Sequence, residues 1–202
     1  MTGGWTRIFP GALLALFLVS RLPGFDTKGF SLAYALCFCA GAFPRRLNLV
    51  AVAAAIVASD LWLNIYYGAG LISDWQAVNY VGYTGIWFLG RQLRERRSPV
   101  RFLFAGLLGA LLFYILSNTA AWLGTPQYAK SFAGWWQAIT TGLPGWPPTW
   151  TFFRNTMISG GLFTAVMGTL LNALQAVEPE TDEAEETEEA SDAEEHKEPA
   201  KA

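Results

Sequence analysis

The sequence predicts an all-α, polytopic membrane protein: about six transmembrane helices over residues 1–177, then a disordered acidic tail over residues 178–202. Three observations point there. Apolar stretches near the length needed to cross roughly 30 Å of hydrocarbon recur along the first part of the chain. Charge is partitioned, since the tail holds twelve of the 16 acidic residues but only Lys197 and Lys201 as bases, which leaves the body at +8 and the tail at −10. The 52% hydrophobic content is diluted by that tail, so the body is more apolar than a water-soluble domain.

The first apolar run extends from about Trp5 to Ser20 and stops at Arg21 and Pro23. The second extends from about Gly29 to Phe43 and stops at Pro44-Arg45-Arg46. A helix near 15 residues reaches only about 23 Å, so these two must thin the bilayer, extend into their loops or be shielded by neighbours. Within the first, Ala12 to Val19 has the length of a signal-peptide core, but no A-x-A site follows, and an uncleaved helix is expected. Longer runs follow at Leu47 to Tyr67, Ile72 to Arg91, Phe102 to Gly124 and Thr149 to Ala176.

Orientation follows from the short loops. With the N-terminus inside, Arg7, Arg45, Arg46, Arg91, Arg94, Arg96, Arg97 and Arg101 lie on the cytoplasmic side, against Arg21, Lys28, Lys130 and Arg154 outside. Both termini are therefore expected in the cytoplasm of a cell whose inner membrane holds the chain. The tail has no apolar periodicity and is expected to stay solvated.

Polar side chains inside hydrocarbon are costly, which makes them candidates for function. They gather at one end of the spans. Ser59, Asp60 and Asn64 fall in the outer half of the third, Asp74, Asn79, Tyr80 and Tyr83 in the outer half of the fourth, Ser117, Asn118 and Trp122 late in the fifth, and Arg154 and Asn155 early in the sixth. The cytoplasmic halves, such as Ala51 to Ile56, Phe102 to Leu112 and Leu162 to Leu171, are nearly devoid of hydrogen-bonding side chains. That asymmetry suits a cavity opening outward above a closed apolar floor, not a continuous pore. Asp60 and Asn64, like Asn118 and Trp122, are four apart and share a helix face. Asp60 can pair with Arg154, the base well inside the sixth span, or contact a ligand; unpaired, it would be protonated or hold a cation.

Between the fifth and sixth spans, Thr125 to Pro148 carries Tyr128, Phe132, Trp135, Trp136 and Trp146. It reads as interfacial anchoring or as a lid, with Lys130 and Gln137 as the polar contacts of a lid. Small residues recur at four-residue spacing, as in Gly11 and Ala15, Ala33, Cys37 and Gly41, Ala51 and Ala55, Ala54 and Ala58, and Gly106 and Ala110, which lets helices approach closely. Cys37 and Cys39 read as packing residues.

Several chemistries find no support. The single histidine, His196, lies in the tail, so neither a metal site nor histidine catalysis is expected in the body. There is no G-x-x-x-x-G-K-[ST] for ATP, no G-x-S-x-G or H-E-x-x-H, and no lysine within a span for a Schiff base. No cofactor is expected. The run Arg91 to Arg97 reads as a topology determinant touching anionic lipid, not as a nucleic-acid site.

Ala58-Ser59-Asp60-Leu61, Asn79-Tyr80, Phe88-Leu89-Gly90-Arg91, Phe113 to Trp122, Tyr128 to Gly134 and Phe152-Phe153-Arg154-Asn155-Thr156 together resemble an uncharacterised bacterial six-helix integral-membrane family. That family is distantly similar to the S-components of energy-coupling-factor vitamin transporters. The resemblance covers roughly residues 45 to 175 and departs from the pattern at Lys28-Gly29-Phe30-Ser31-Leu32, where an Asn-Phe-x-Pro-like stretch would stand. It implies six helices, cytoplasmic termini, an outward-facing pocket and docking onto a transmembrane coupling protein with ATPases. Metal-transporting relatives carry an N-terminal histidine motif that Met1-Thr2-Gly3-Gly4-Trp5 lacks.

The function expected is thus a small-solute binding or uptake protein, not an enzyme, with a small organic solute and the lipid bilayer as partners. Its expected binding residues are Asp60, Asn64, Asn79, Tyr80, Ser117, Asn118, Trp122, Arg154 and Asn155. The rival is a non-transporting scaffold whose acidic tail recruits a cytoplasmic protein. An intramembrane enzyme would have only Asp60 as its acid or base.

Overall fold

The computed structural model describes residues 3–23, 29–72 and 74–195. Expectations that rest on Lys28, on residues after Glu195, or on the side chains of Arg7 and Asp74 lie outside what it describes. Among the described residues there are seven helices and no strand: α1 (Gly3–Ser20), α2 (Ala33–Ala42), α3 (Leu49–Tyr66), α4 (Asp74–Gln92), α5 (Pro99–Gly124), α6 (Phe132–Ile139) and α7 (Thr149–Glu195).

Local chemistry sets several of these starts. The Asn48 side chain accepts from the amides of Val50 at 2.7 Å and Ala51 at 3.4 Å and opens α3. Ser98 accepts from Arg101 N at 3.2 Å, with Pro99 at the first turn of α5, where its missing N–H costs nothing. Ser131 accepts from Gly134 N at 3.3 Å and opens α6, a short helix absent from the sequence expectation.

Three segments are long and apolar enough to cross a membrane: Leu49–Tyr66, Pro99–Gly124 and Thr149–Ala176. They leave Val50, Phe104, Leu112 and Leu162 exposed on their outer faces. So large an apolar surface suits contact with lipid, and these three segments fit a membrane protein. Helix α2 spans only ten residues, roughly 15 Å, and every one of them is buried. Of the ways a short apolar helix can be accommodated, shielding by neighbours is the one realised for α2. Its core includes Phe38, Phe43, Phe102, Val52 and Leu171.

Two helix pairs carry the tightest packing, α5 with α7 and α2 with α4. Glycine makes both possible. A Cβ on Gly41 would stand 2.2 Å from Trp87 O, and one on Gly90 would stand 2.0 Å from Phe38 O. Across the other pair, a Cβ on Gly106 would lie 2.4 Å from Gly160 O and one on Gly160 would lie 2.5 Å from the Ala110 Cβ. Small-residue spacing therefore works within the bundle at Gly41 and at Gly106 with Ala110, whereas Gly11 has open space around it.

Arg97 gathers one end of the bundle. Its guanidinium donates to Ala42 O at 3.1 Å and to the Gln175 side chain, and it stacks 4.6 Å over the Phe43 ring. The ends of α2 and α4, the start of α5 and α7 at Gln175 therefore meet there, at the end that carries Arg45, Arg46, Arg91, Arg94, Arg96, Arg97 and Arg101. At the opposite end the Thr156 hydroxyl donates to Gly29 O at 3.2 Å. Gly29 has φ +76°, and a side chain there would press on Phe152 O at 3.1 Å, which ties the chain before α2 to α7.

Beyond Ala176 the backbone of α7 stays helical to Glu195. An unstructured segment is expected there from composition. Glu and Ala are strong helix formers, so a segment too polar to bury a core still holds a helical backbone.

Candidate functional site

Tyr114 packs its ring 5.0 Å from Phe153 and joins α5 to α7 near the end away from the arginines. The segment from Thr125 to Pro148 fills part of the gap. Between them lies an open cavity of about 630 Å³, within the range of small-molecule sites. Tyr34 and Gly29 close it from the side of α2, Phe113, Tyr114, Ser117, Asn118 and Ala121 from α5, and Thr149, Phe152 and Thr156 from α7. The connecting segment adds Thr125, Gln127, Tyr128, Gly142, Leu143, Trp146 and Pro147.

Hydrogen bonds fix this lining. Tyr114 OH donates to Ile139 O at 2.6 Å and lies 3.3 Å from Thr149 O, which fastens α5 to the end of α6 and the start of α7. Ser117 Oγ at 3.1 Å and Asn118 Nδ2 at 2.8 Å both donate to Tyr114 O. The Tyr34 phenol stands beside the Thr156 side chain. Its ring lies 5.0 Å from Phe113, so two rings wall the cavity on this side, and Phe113 stacks in turn at 5.3 Å on Tyr83 behind it. At the mouth, burial pushes the Tyr128 phenol above its ordinary pKa, and it stays neutral at physiological pH.

Of the nine residues expected to bind, the cavity brings together Ser117 and Asn118. The others serve elsewhere. Asp60 does not pair with Arg154; it forms its ion pair with Arg21, just past α1, and the Tyr80 phenol stands beside the carboxylate. Arg154 is exposed, 5.7 Å over the Trp150 ring, with Nε 3.3 Å from Asn155 Oδ1. The physical reason is register: Asp60 sits on the α3 face toward α1, where Arg21 arrives at the same depth. Asn64 donates to Leu71 O at 3.1 Å and closes the turn between α3 and α4. Tyr80 lines a separate apolar crevice of about 230 Å³ with Val52, Ile56, Tyr83 and Trp87. Asn79 is half-buried on α4.

Trp122 donates its indole N–H to Ala129 O at 2.8 Å, bracing the connecting segment. Lys130 and Gln137, the polar contacts expected of a lid, brace it too. Lys130 donates to Thr125 O at 2.9 Å and to Trp122 O, and Gln137 donates to Gly142 O at 3.0 Å. Trp135 donates to Thr119 Oγ1 at 2.9 Å, whereas Phe132 and Trp136 are exposed as interfacial anchors would be. Tyr128 and Trp146 alone among the five aromatics of this segment line the cavity.

Sequence reasoning missed Tyr34, Tyr114, Thr149, Phe152 and Thr156. A signal existed for some of them. Tyr114 precedes Asn118 by four residues on one helix face, and Thr149, Phe152 and Thr156 recur at helical spacing on the first turns of α7.

No curated protein and no solved structure matches the chain. The model of a family of unknown function, DUF6580, matches residues 5–181. That span takes in the helices that frame the cavity and the glycine contacts that hold them, and the chain belongs to this family.

Proposed function

We propose that the chain captures a small organic solute in the cavity between α5, α7 and the connecting segment, as the solute-binding part of an uptake system. The observation that carries this reading is the cavity itself. It is ring-lined with a few fixed polar groups, and it lies at the opposite end from the arginine cluster. In this reading α1, α2 and α4 join the three long apolar segments as a six-span bundle. The arginines face the cytoplasm of a bacterial cell, both termini lie there, and the cavity opens outward. This reading likens the chain to an S-component. The exposed face of Ala51, Ala54 and Ala58 on α3 suits close approach by a transmembrane coupling protein with ATPases. Asp60 then stabilises the bundle and does not touch solute.

Mass spectrometry of small molecules retained by detergent-purified protein tests this. Wild type should release a compound that Ala121→Phe, which fills the cavity, does not retain. An empty wild type, or equal retention by a folded Ala121→Phe, would refute the reading.

A further inference from the structure

Helices α3 and α4 follow one another in the chain, yet each packs elsewhere: α3 on α1 and α2, α4 on α2 and α5. Between them lies the apolar crevice of about 230 Å³, walled by α3 from Leu49 to Val57 and by α4 from Tyr80 to Trp87, with Cys37 of the buried helix α2 between the two walls. It is distinct from the cavity already described. Tyr83, which lines the crevice, stacks at 5.3 Å on Phe113, which lines the cavity, so a pair of rings stands between the two spaces.

The dimensions of the crevice choose among occupants. From Leu49 to Val57 a helix rises about 12 Å, close to the depth of one leaflet of a roughly 30 Å hydrocarbon core. A volume of about 230 Å³ spread over about 12 Å leaves a cross-section of about 20 Å², against roughly 80 Å² for a helix about 10 Å across. That admits a single hydrocarbon chain and not the helix of a partner.

The charge beside the crevice points the same way. Its walls reach the arginine end of the bundle at Leu49 and Trp87, and the exposed Arg91, one turn beyond Trp87, holds its guanidinium 5.8 Å from the centre of the Trp87 ring. Gly41 of α2 packs on the backbone at Arg91, and the exposed Arg45 follows it in the turn that leads to α3. Among the described side chains at this end seven are arginine and one, Glu95, is acidic. A chain seated in the crevice carries its headgroup to this level, where guanidinium groups favour a phosphate.

We infer that the crevice between α3 and α4 holds one acyl chain of an anionic phospholipid, whose phosphate pairs with Arg91 and is attracted by Arg45. Native mass spectrometry of the full chain in detergent tests this, with phosphatidylglycerol and phosphatidylcholine of identical acyl chains added in equal amounts. Wild type should retain one phosphatidylglycerol about tenfold more than phosphatidylcholine. Arg91→Gln should lower that preference about fivefold, the scale of one basic residue at a lipid surface. Ala53→Phe and Thr84→Phe replace exposed residues on the two facing walls, fill the crevice and should each abolish retention with the melting temperature unchanged. Equal retention of the two lipids by wild type, or phosphatidylglycerol retained undiminished by both filled and folded variants, would overturn the inference. A wild-type dimer that Ala53→Phe converts to monomer would overturn it as well, because the crevice would then belong to a second copy of the chain.

Discussion

The two ends of the bundle are built on opposite principles. At the arginine end, backbone meets backbone where Gly41 and Gly90 let α2 and α4 touch, and in the middle of the bundle Gly106 and Gly160 do the same for α5 and α7. Arg97 clasps α2 and α7 beside them. At the other end Tyr114, Phe152 and the segment from Thr125 to Pro148 line a cavity between the same α5 and α7. The difference teaches that the cavity is a consequence of where the small residues stop. Contact without side chains leaves no room for solute, whereas large rings with fixed hydroxyl groups leave a space of defined shape.

The comparison is broken most severely by adding a methyl group at a crossing. Gly90→Ala places a Cβ against the Phe38 carbonyl, which is backbone and cannot step aside. It should cost about 3 kcal/mol or prevent folding, read from the thermal melt of purified protein. Arg21→Gln comes next. It leaves Asp60 without its cation in a low-dielectric setting, and should cost about 2 kcal/mol because the Arg21 side chain is partly exposed, at 29%. Adding Asp60→Asn should restore part of that loss, and solute binding should be unchanged in both. Trp135→Phe, which removes the hydrogen bond to Thr119, should cost about 1 kcal/mol and loosen the connecting segment to proteolysis. Gly11→Ala, with nothing within 4 Å of the new methyl group, should change stability by no more than about 0.5 kcal/mol. If Gly11→Ala proved as damaging as Gly90→Ala, close backbone approach would not be what holds the bundle.

Much of this fold was legible in the sequence, because runs of apolar residues and their charged or Pro and Gly breaks are dictated by the bilayer. Helix bounds at Ser20, Thr149 and Gly124 follow those breaks. The gathering of polar residues toward one end was legible too, but of the residues expected to bind only Ser117 and Asn118 line the cavity. Which helix faces which was not. Nothing local to Asp60 says that Arg21 and not Arg154 reaches it, since that depends on the rotation of α3 and the tilt of α1. Tyr34 was hidden for a similar reason: α2 is apolar all round, so its sequence has no face to read. Helix α6 was obscured by its aromatic composition, which suits an interfacial loop as well as a short helix.

The most direct test of the central claim sets the cavity against the ion pair in one experiment: the solute content of purified wild type, Ala121→Phe and Asp60→Asn, measured by mass spectrometry at equal amounts of folded protein. The account predicts a retained compound in wild type and Asp60→Asn, and none in Ala121→Phe. Loss of the compound in Asp60→Asn with full retention in Ala121→Phe would contradict it and move the binding site to the ion pair between α1 and α3.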